Sequence, residues 1–333
     1  MTAPLYVFDA HLDLAMNACR GRDPLQRAEM QPMVEGEIAT VGLPDLRAGG
    51  VTHLCAAIFC EPSFNGGAGY ATADQAYAMA RVQLAIYQQW HIAGEIQING
   101  LRGDATAADA VLLMEGADAI RTPDDLAFFA AAGVRVIGMS WLATRYAGGT
   151  GQPGPLTPDG ATLAGEIDRL NLIHDASHLA EQSFWDLSGI IARPMIASHS
   201  NCRAIVGDDP RERHLTDAMI RRIIEHGGMV GINFYDKFLL PAAEFGKRRA
   251  TLDDVVRHVL HVCDLAGDAT HVGLGTDMDG GLGRDNIPQE IYTSADLPKL
   301  YTALRNAGLD DTAARGVMGE NWRQFFERAL GAV

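Results

Sequence analysis

The stretch Leu5-Tyr6-Val7-Phe8-Asp9-Ala10-His11-Leu12-Asp13 carries both halves of the argument about fold. Its run Leu5–Asp9 shows no clean polar alternation, as expected of a strand covered on both faces. Its end carries His11 and Asp13, two residues apart, so in an extended segment both side chains point to one side. Seven further runs of this kind follow: Thr52–Phe59, Ala110–Met114, Val134–Met139, Leu172–Ser177, Met195–Ser198, Met229–Asn233 and His271–Gly275. Helical patterns lie between them, including Ala73–Ala93 with Thr72 as N-cap, Thr157–Leu170, Ala180–Ile190, Thr216–Glu225 and Thr251–Leu265. Eight alternations of strand and helix predict an α/β fold, a (β/α)8 TIM-type barrel, with Ser294–Ala329 as extra C-terminal helices packed outside it.

Barrel enzymes build their sites at the carboxyl ends of the strands, so the residue types found there decide the chemistry. The first strand ends in His11 and Asp13, the third in Glu115, the fifth leads to His178, the sixth to His199, and the eighth ends in Thr276-Asp277-Met278-Asp279. Three imidazoles and three carboxylates in one mouth are the usual ligands of zinc. The grouping expects His11 and Asp13 on one metal, His178 and His199 on a second, and Glu115 bridging. Asp277 would hold a water shared by the two metals and carry its proton. Each residue also has a plainer reading. His178 could begin a helix capped by Ser177, His199 could be a turn histidine between two serines, Glu115 an exposed strand-end acid, and Asp277 and Asp279 Asx-turn formers. The coincidence at five strand ends favours the metal site. His53, His91, His174, His226, His258, His261 and His271 fall at strand starts, within strands or on helical patterns and are read as structural. Two Gly/Pro-rich stretches, Pro62–Ala71 and Tyr146–Gly160, each follow a strand and are candidate pocket lids.

Composition bounds the rest. With 27 basic and 42 acidic residues the net charge is −15, which excludes a phosphate-backbone partner. A 47% hydrophobic and 21% charged chain has ample core, and 333 residues suit one elaborated barrel domain spanning 1–333. No apolar run approaches the ~20 residues needed to span a bilayer. Met1-Thr2-Ala3-Pro4 lacks the basic start of a secretory signal. The five cysteines Cys19, Cys55, Cys60, Cys202 and Cys263 form no CxxC pair and are expected to be buried thiols. A cytoplasmic protein with no membrane partner is the expectation.

Several segments resemble, in order, the membrane (renal) dipeptidase-like metallopeptidases (peptidase family M19) of the amidohydrolase superfamily. They are Phe8-Asp9-Ala10-His11-Leu12-Asp13-Leu14, Met114-Glu115-Gly116, Asp175-Ala176-Ser177-His178-Leu179 and Ala197-Ser198-His199-Ser200-Asn201. Arg213-His214-Leu215-Thr216-Asp217, Gly231-Ile232-Asn233-Phe234-Tyr235, Gly273 to Gly280 and the closing run Gly319 to Phe326 are similar as well. The resemblance implies a metallo-dipeptidase with two Zn2+ per chain, the ligand set above, and Asp277 as the catalytic aspartate. It implies further that Arg213 holds the substrate carboxylate, that Tyr235 lines the same pocket, that the substrate is a dipeptide, including one with a D-residue at the carboxyl end, and that the chain forms a homodimer. One position departs from the pattern. Where the vertebrate members carry a histidine after the fourth strand, Gly138-Met139-Ser140-Trp141 places Trp141. An indole N–H donates a hydrogen bond but carries no proton or charge, so Trp141 reads equally as a donor or as an apolar pocket wall. That leaves two alternatives to the dipeptidase: a binuclear hydrolase of another small carboxylate-bearing amide or ester such as an N-acyl amino acid, and a barrel that binds metal or ligand without catalysis.

Overall fold

Apolar runs at the expected positions pair into one parallel sheet in this computed structural model, which describes residues 5–63, 69–99 and 107–331. In chain order the strands are β1 (Val7–Leu12), β2 (Val51–Phe59), β3 (Ile96–Ile98), β4 (Ala108–Glu115), β5 (Val134–Gly138), β6 (Ala147–Gly149), β7 (Gln152–Leu156), β8 (Ile173–Asp175), β9 (Met195–Ile196), β10 (Val230–Ile232) and β11 (Val272–Leu274). Neighbours follow the order β10-β11-β1-β2-β4-β5-β8-β9. A parallel bridge from Ala197 to Val230 brings the two ends of that order together, with Ala197 N donating to Met229 O and Gly231 N to Ala197 O, both at 2.8 Å. The result is a nearly closed eight-stranded parallel barrel, and each of the eight expected runs supplies one strand.

The helices start where the sequence places caps. Thr72 and Gln75 form a reciprocal capping box on Ala73–Ile92, while Thr157 and Thr216 cap Pro158–Arg169 and Asp217–Glu225 with their side chains. Side chains at alternate strand positions fill the barrel: Phe8 and Ala10 from β1, Cys55 and Ala57 from β2, Val111 and Leu113 from β4. Residues facing outward, such as Val7, Leu54, Ala110 and Leu112, join the larger core beneath the helices. Both faces of the strands are therefore apolar, which is why their sequences do not alternate.

Four features differ from expectation. β3 pairs with Ala108–Ala110 at the start of β4, where β5 has not yet begun, since β5 first pairs at Leu112; the extra strand covers an otherwise open edge. The stretch Tyr146–Gly160, expected as a lid, contains the antiparallel hairpin β6–β7 and is tied down by Gly151 N donating to Arg211 O at 2.7 Å. The other expected lid, Pro62–Ala71, lies partly outside the described residues.

The last helix, Asn321–Leu330, is not outside the barrel as expected: Trp322, Phe325 and Phe326 join the interior cluster with Phe8, Ile173 and Ile196. It covers the amino ends of the strands, and Trp322 Nε1 donates to Leu274 O at 2.9 Å. Gly273 makes room, since a Cβ there would lie 2.4 Å from the Trp322 indole nitrogen. Finally, Cys55, Cys60 and Cys202 are buried thiols, but Cys19 is exposed and Cys263 half-buried.

Candidate metal centre

At the opposite end of the barrel the six candidate groups do come together. β1 runs to Leu12, and the chain turns at Asp13 (φ −91°, ψ 49°) into the short helix Leu14–Cys19. That turn leaves Asp13 Oδ2 3.6 Å from His11 Nε2. Glu115, the last residue of β4, lies between two sets of nitrogens. Its Oε2 is 3.4 Å from His11 Nε2, and its Oε1 is 3.1 Å from His178 Nε2 and 3.2 Å from His199 Nε2. The two imidazole nitrogens of His178 and His199 face each other at 3.0 Å. Donor atoms of His11, Glu115 and His199 lie within 4.8 Å of one another, as do those of His11, Asp13 and Asp277.

Backbone strain marks the same residues. His178 (φ 67°) and Asp277 (φ 58°) hold the left-handed conformation that costs a side-chain-bearing residue of order 1 kcal/mol or more. The surroundings fix them in it. Thr150, at the turn of the β6–β7 hairpin, meets His178 Nδ1 at 3.0 Å. Ser198 Oγ meets His199 Nδ1 at 2.8 Å and itself donates to Asp175 Oδ2 at 2.5 Å. Asn233 Nδ2 donates to Asp277 Oδ2 at 2.8 Å. Each of these contacts uses the side-chain atom turned away from the cluster, leaving both Nε2 atoms aimed inward. Gly280 completes the enclosure, because a Cβ there would meet Asp277 Oδ1 at 2.0 Å and Asp13 Oδ2 at 2.9 Å.

The electrostatics are those of a cation site. Burial pushes the His178 imidazole down to about 4, aided by Arg213, and holds His199 well below its ordinary value, aided by His11. Both are thereby kept in the neutral, metal-binding form. Burial also opposes charge on His11, but Glu115 and Asp13 outweigh it and raise its pKa well above normal. For Glu115, burial is overcome by His11 and then His178 and His199, and the carboxyl stays ionised well below its usual range. Burial raises Asp13, and lifts Asp277 to about 8 with Asp13 and Glu115 adding to it. Among the described residues His11 Nδ1 and Asp13 Oδ1 are buried without hydrogen-bond partners. Convergent nitrogens and carboxylate oxygens with orphaned polar atoms fit a bound divalent metal, which would take the place of the shared protons.

The cluster floors a cavity of about 430 Å³ that also exposes Trp141, Arg213 and Tyr235. Trp141 packs edge-on to Phe59, with ring centroids 5.1 Å apart, and lies 6.3 Å from the His178 ring. Arg213 is buried under Phe238, its Cζ 5.0 Å from the ring centroid, and donates to Ser200 Oγ at 2.8 Å and His199 O at 2.6 Å. Tyr235 packs edge-on to the same Phe238. Seven of the nine sequence-selected site residues thus line one cavity, and the other two, His11 and His199, lie behind it against Glu115. Asp279, left open as a turn former, is structural: its carboxylate accepts from Thr40 N, Thr40 Oγ1 and Val41 N and lies 3.3 Å from Arg22.

Sequence reasoning passed over Thr150, Asp175, Ser198 and Asn233. Asn233 and Asp175 each lie within or at the end of an expected strand run, so the strand-end rule that found Glu115 also pointed to them. Thr150 gives no such signal, because it sits on a hairpin far from His178 in sequence.

Comparisons with known proteins bear on the family and the fold. A family model described as membrane dipeptidase (peptidase family M19) matches residues 1–330. An uncharacterized protein in the pqqA 5′ region of Klebsiella pneumoniae is 35% identical over 260 residues, 72% of this chain and 92% of that protein. Two uncharacterized dipeptidases of Schizosaccharomyces pombe match as well, and there the chain spans 38% and 35% of their lengths. The crystal structure of dipeptidase AC, a family M19 metallopeptidase, superposes with a TM-score of 0.82 at 30% identity, covering 98% of this chain and 99% of that one. A metallopeptidase of Rhodobacter sphaeroides, solved with a phosphinate mimic of the dipeptide L-Ala-D-Ala, gives 0.81 at 28% identity, with coverage of 98% and 99%.

Proposed function

This chain belongs to the membrane dipeptidase family, peptidase family M19, and on that premise we propose that it is a binuclear zinc dipeptidase acting on small dipeptides, including those with a D-residue at the carboxyl end. The observation that carries the reading is the position of Glu115, with Oε2 toward His11 and Oε1 toward His178 and His199. A carboxylate so divided suits a bridge, with His11 and Asp13 holding one ion and His178 and His199 the other. When bound, the pair of ions would polarise the scissile carbonyl and bring the pKa of water near 7.

The chain's own groups do the remainder. Asp277 takes the proton of the attacking water and passes it to the leaving amine nitrogen, a role that its place beside His11 and Asp13 and the Asn233 contact support. Arg213 binds the substrate's terminal carboxylate. Its Nε is buried without a partner among the described residues, and a planar guanidinium suits a carboxylate. Tyr235 shares Phe238 with Arg213, and Trp141 lines the cavity beside Phe59 and His178. A cavity of about 430 Å³ has room for a dipeptide. The phosphinate mimic bound by the Rhodobacter sphaeroides relative supports acceptance of a D-residue. We further read residues 1–333 as one hydrolase domain that works in the cytoplasm as a homodimer. Among the described residues, no helix is long and apolar enough to cross a membrane.

The test is to measure the metal content of purified protein and its turnover of L,L- and L,D-dipeptides beside N-acyl amino acids, before and after chelation and zinc return. Two equivalents of zinc and chelator-reversible dipeptide hydrolysis are expected. Metal-loaded protein that hydrolyses no dipeptide would overturn the reading, and turnover of N-acyl amino acids alone would move it to the first alternative.

A further inference from the structure

Two buried aspartates on the strands just ahead of the cluster make the same clamp. Asp9 lies in β1 and pairs in register with Leu274 of β11, while Asp175 ends β8 and pairs with Ile196 of β9. Each reaches a hydroxyl residue two positions beyond its register partner, Thr276 in the first case and Ser198 in the second. Asp9 Oδ1 accepts from His11 N at 3.3 Å and Thr276 N at 2.9 Å, and its Oδ2 from Thr276 Oγ1 at 2.5 Å. Asp175 Oδ1 accepts from Ser177 N and Ser198 N, both at 2.9 Å, and its Oδ2 from Ser198 Oγ at 2.5 Å. The residues that follow these partners belong to the cluster: Asp277 follows Thr276, His178 follows Ser177 and His199 follows Ser198.

The clamps differ in what the hydroxyl does next. Thr276 Oγ1 accepts from a backbone group, Met278 N at 3.4 Å. Ser198 Oγ meets an imidazole nitrogen, His199 Nδ1, at 2.8 Å. A hydroxyl has one proton to give, and Ser198 gives it to Asp175. Ser198 Oγ therefore meets His199 as an acceptor, and the ring carries its proton on Nδ1. Nε2 keeps its lone pair, facing Glu115 Oε1 at 3.2 Å. The hydrogen bond made by one ring nitrogen decides whether the other is free to take a metal.

We infer that Asp175 is a positioning residue for the metal centre: acting through Ser198, it fixes His199 as the tautomer whose Nε2 can bind a metal ion. This rests on the reading of His199 as a metal ligand.

Asp175→Asn would reverse the chain at nearly constant size. The two backbone N–H groups hold the amide oxygen at the Oδ1 position, so the amide nitrogen faces Ser198 Oγ. The hydroxyl must then accept from the amide and turn its own proton to its nearer acceptor, His199 Nδ1 at 2.8 Å against Ser177 Oγ at 3.3 Å. That moves the ring proton to Nε2. Ser198→Ala reaches the same end by another route, since Nδ1 loses its acceptor while Glu115 Oε1 can still accept from Nε2.

The test is heteronuclear NMR of metal-free protein carrying isotope-labelled histidine, in mildly alkaline buffer, with the His199 signals assigned by their loss in His199→Gln. Zinc titrations against a chelator follow on the same preparations. Native His199 is expected to carry its proton on Nδ1. Asp175→Asn and Ser198→Ala should each move it to Nε2 and weaken zinc binding by about 10–100-fold. Because Asp175 acts through Ser198, the double variant should bind zinc no more weakly than the worse single variant. Asp9→Asn makes the equivalent change beside Thr276 and should leave the His199 proton on Nδ1. A native ring protonated on Nε2, a proton that stays on Nδ1 in Asp175→Asn, losses of affinity that add, or the same ring response to Asp9→Asn overturns the inference. If Asp175→Asn does not fold, Ser198→Ala decides alone, and an Nδ1 proton there overturns it. Native protein that takes up no zinc overturns the metal-centre reading, and with it the role assigned to Asp175, whatever the tautomer.

Discussion

The two ends of the barrel solve opposite problems with the same eight strands. At the base, Trp322, Phe325 and Phe326 pack against Phe8, Val111 and Ile173, and the titratable pair there, His53 and Asp109, is matched at 3.2 Å. At the mouth, three imidazoles and three carboxylates share a buried volume, with Asp277 pushed up to about 8 and His178 down to about 4. Burying unpaired charge costs several kcal/mol per ion, so without a cation the mouth weakens the fold while the base holds it. The difference teaches that stability and chemistry are separable here: changes at the mouth should cost activity, and changes at the base should cost folding.

Asp277→Asn gives the largest expected effect. Loss of a proton carrier should lower kcat/KM by about 10²–10⁴, while the metal-free protein melts no lower than its parent, because a neutral amide replaces a carboxyl that burial disfavours. Kinetics and calorimetry on the same preparation test both halves. A fully active variant breaks the mechanism, and a variant that melts lower breaks the contrast.

The mirror change is Trp322→Ala, which opens the base where the indole is fully buried. It should cost about 3–5 kcal/mol of stability, yet leave kcat per folded molecule and bound metal near parental values. Denaturant melts paired with active-site titration decide it; loss of metal at full folding would show that the two ends are coupled.

Weaker effects are expected one contact out from the cluster. Removing the Thr150 hydroxyl by Thr150→Val leaves His178 Nδ1 without its 3.0 Å partner, and Asn233→Ala frees Asp277 Oδ2. Partners of this kind are worth about 10–100-fold in metal affinity or activity. The contrast predicts a split: Thr150→Val should weaken metal binding, measured by competition with a chelator, whereas Asn233→Ala should lower kcat with metal retained. The reverse pattern would reassign the two roles.

The mouth was more legible in the sequence than the base for a physical reason. His11, Asp13, Glu115, His178, His199 and Asp277 are polar residues at the ends of apolar runs, and a polar residue due for burial stands out against its background. The strands were readable for the same reason in reverse. Trp322 and Phe326 did not stand out, because an apolar face on a helix reads alike whether it packs on the outside of a barrel or under it. Thr150 and β3 were illegible because each depends on a partner distant in sequence, His178 in one case and the bare edge of Ala108–Ala110 in the other.

The outer helix layer supplies the smallest effect and a control on the charge argument. Asp254, near the start of the helix Leu252–Ala266, is shielded from water, though less deeply buried than the mouth carboxylates, and fully answered: Arg248 meets it twice, at 2.6 and 2.8 Å, Arg257 at 2.8 Å, and Thr251 N at 2.9 Å. Burial alone would raise its pKa, but Arg248 and then Thr251 outweigh burial and hold it at about 2, below the ordinary 3.8. A carboxyl depressed on folding adds stability that is fully present above pH 3.8 and is lost as the pH falls through about 2. Asp254→Asn should therefore lower the thermal midpoint of chelator-treated protein at pH 7 by about 2 °C or less, with the two proteins converging near pH 2. A difference that persists unchanged in acid would mean that Asp254 acts through packing rather than charge. The opposite shifts of Asp254 and Asp277 would then follow from their different depths in the fold rather than from arginine partners.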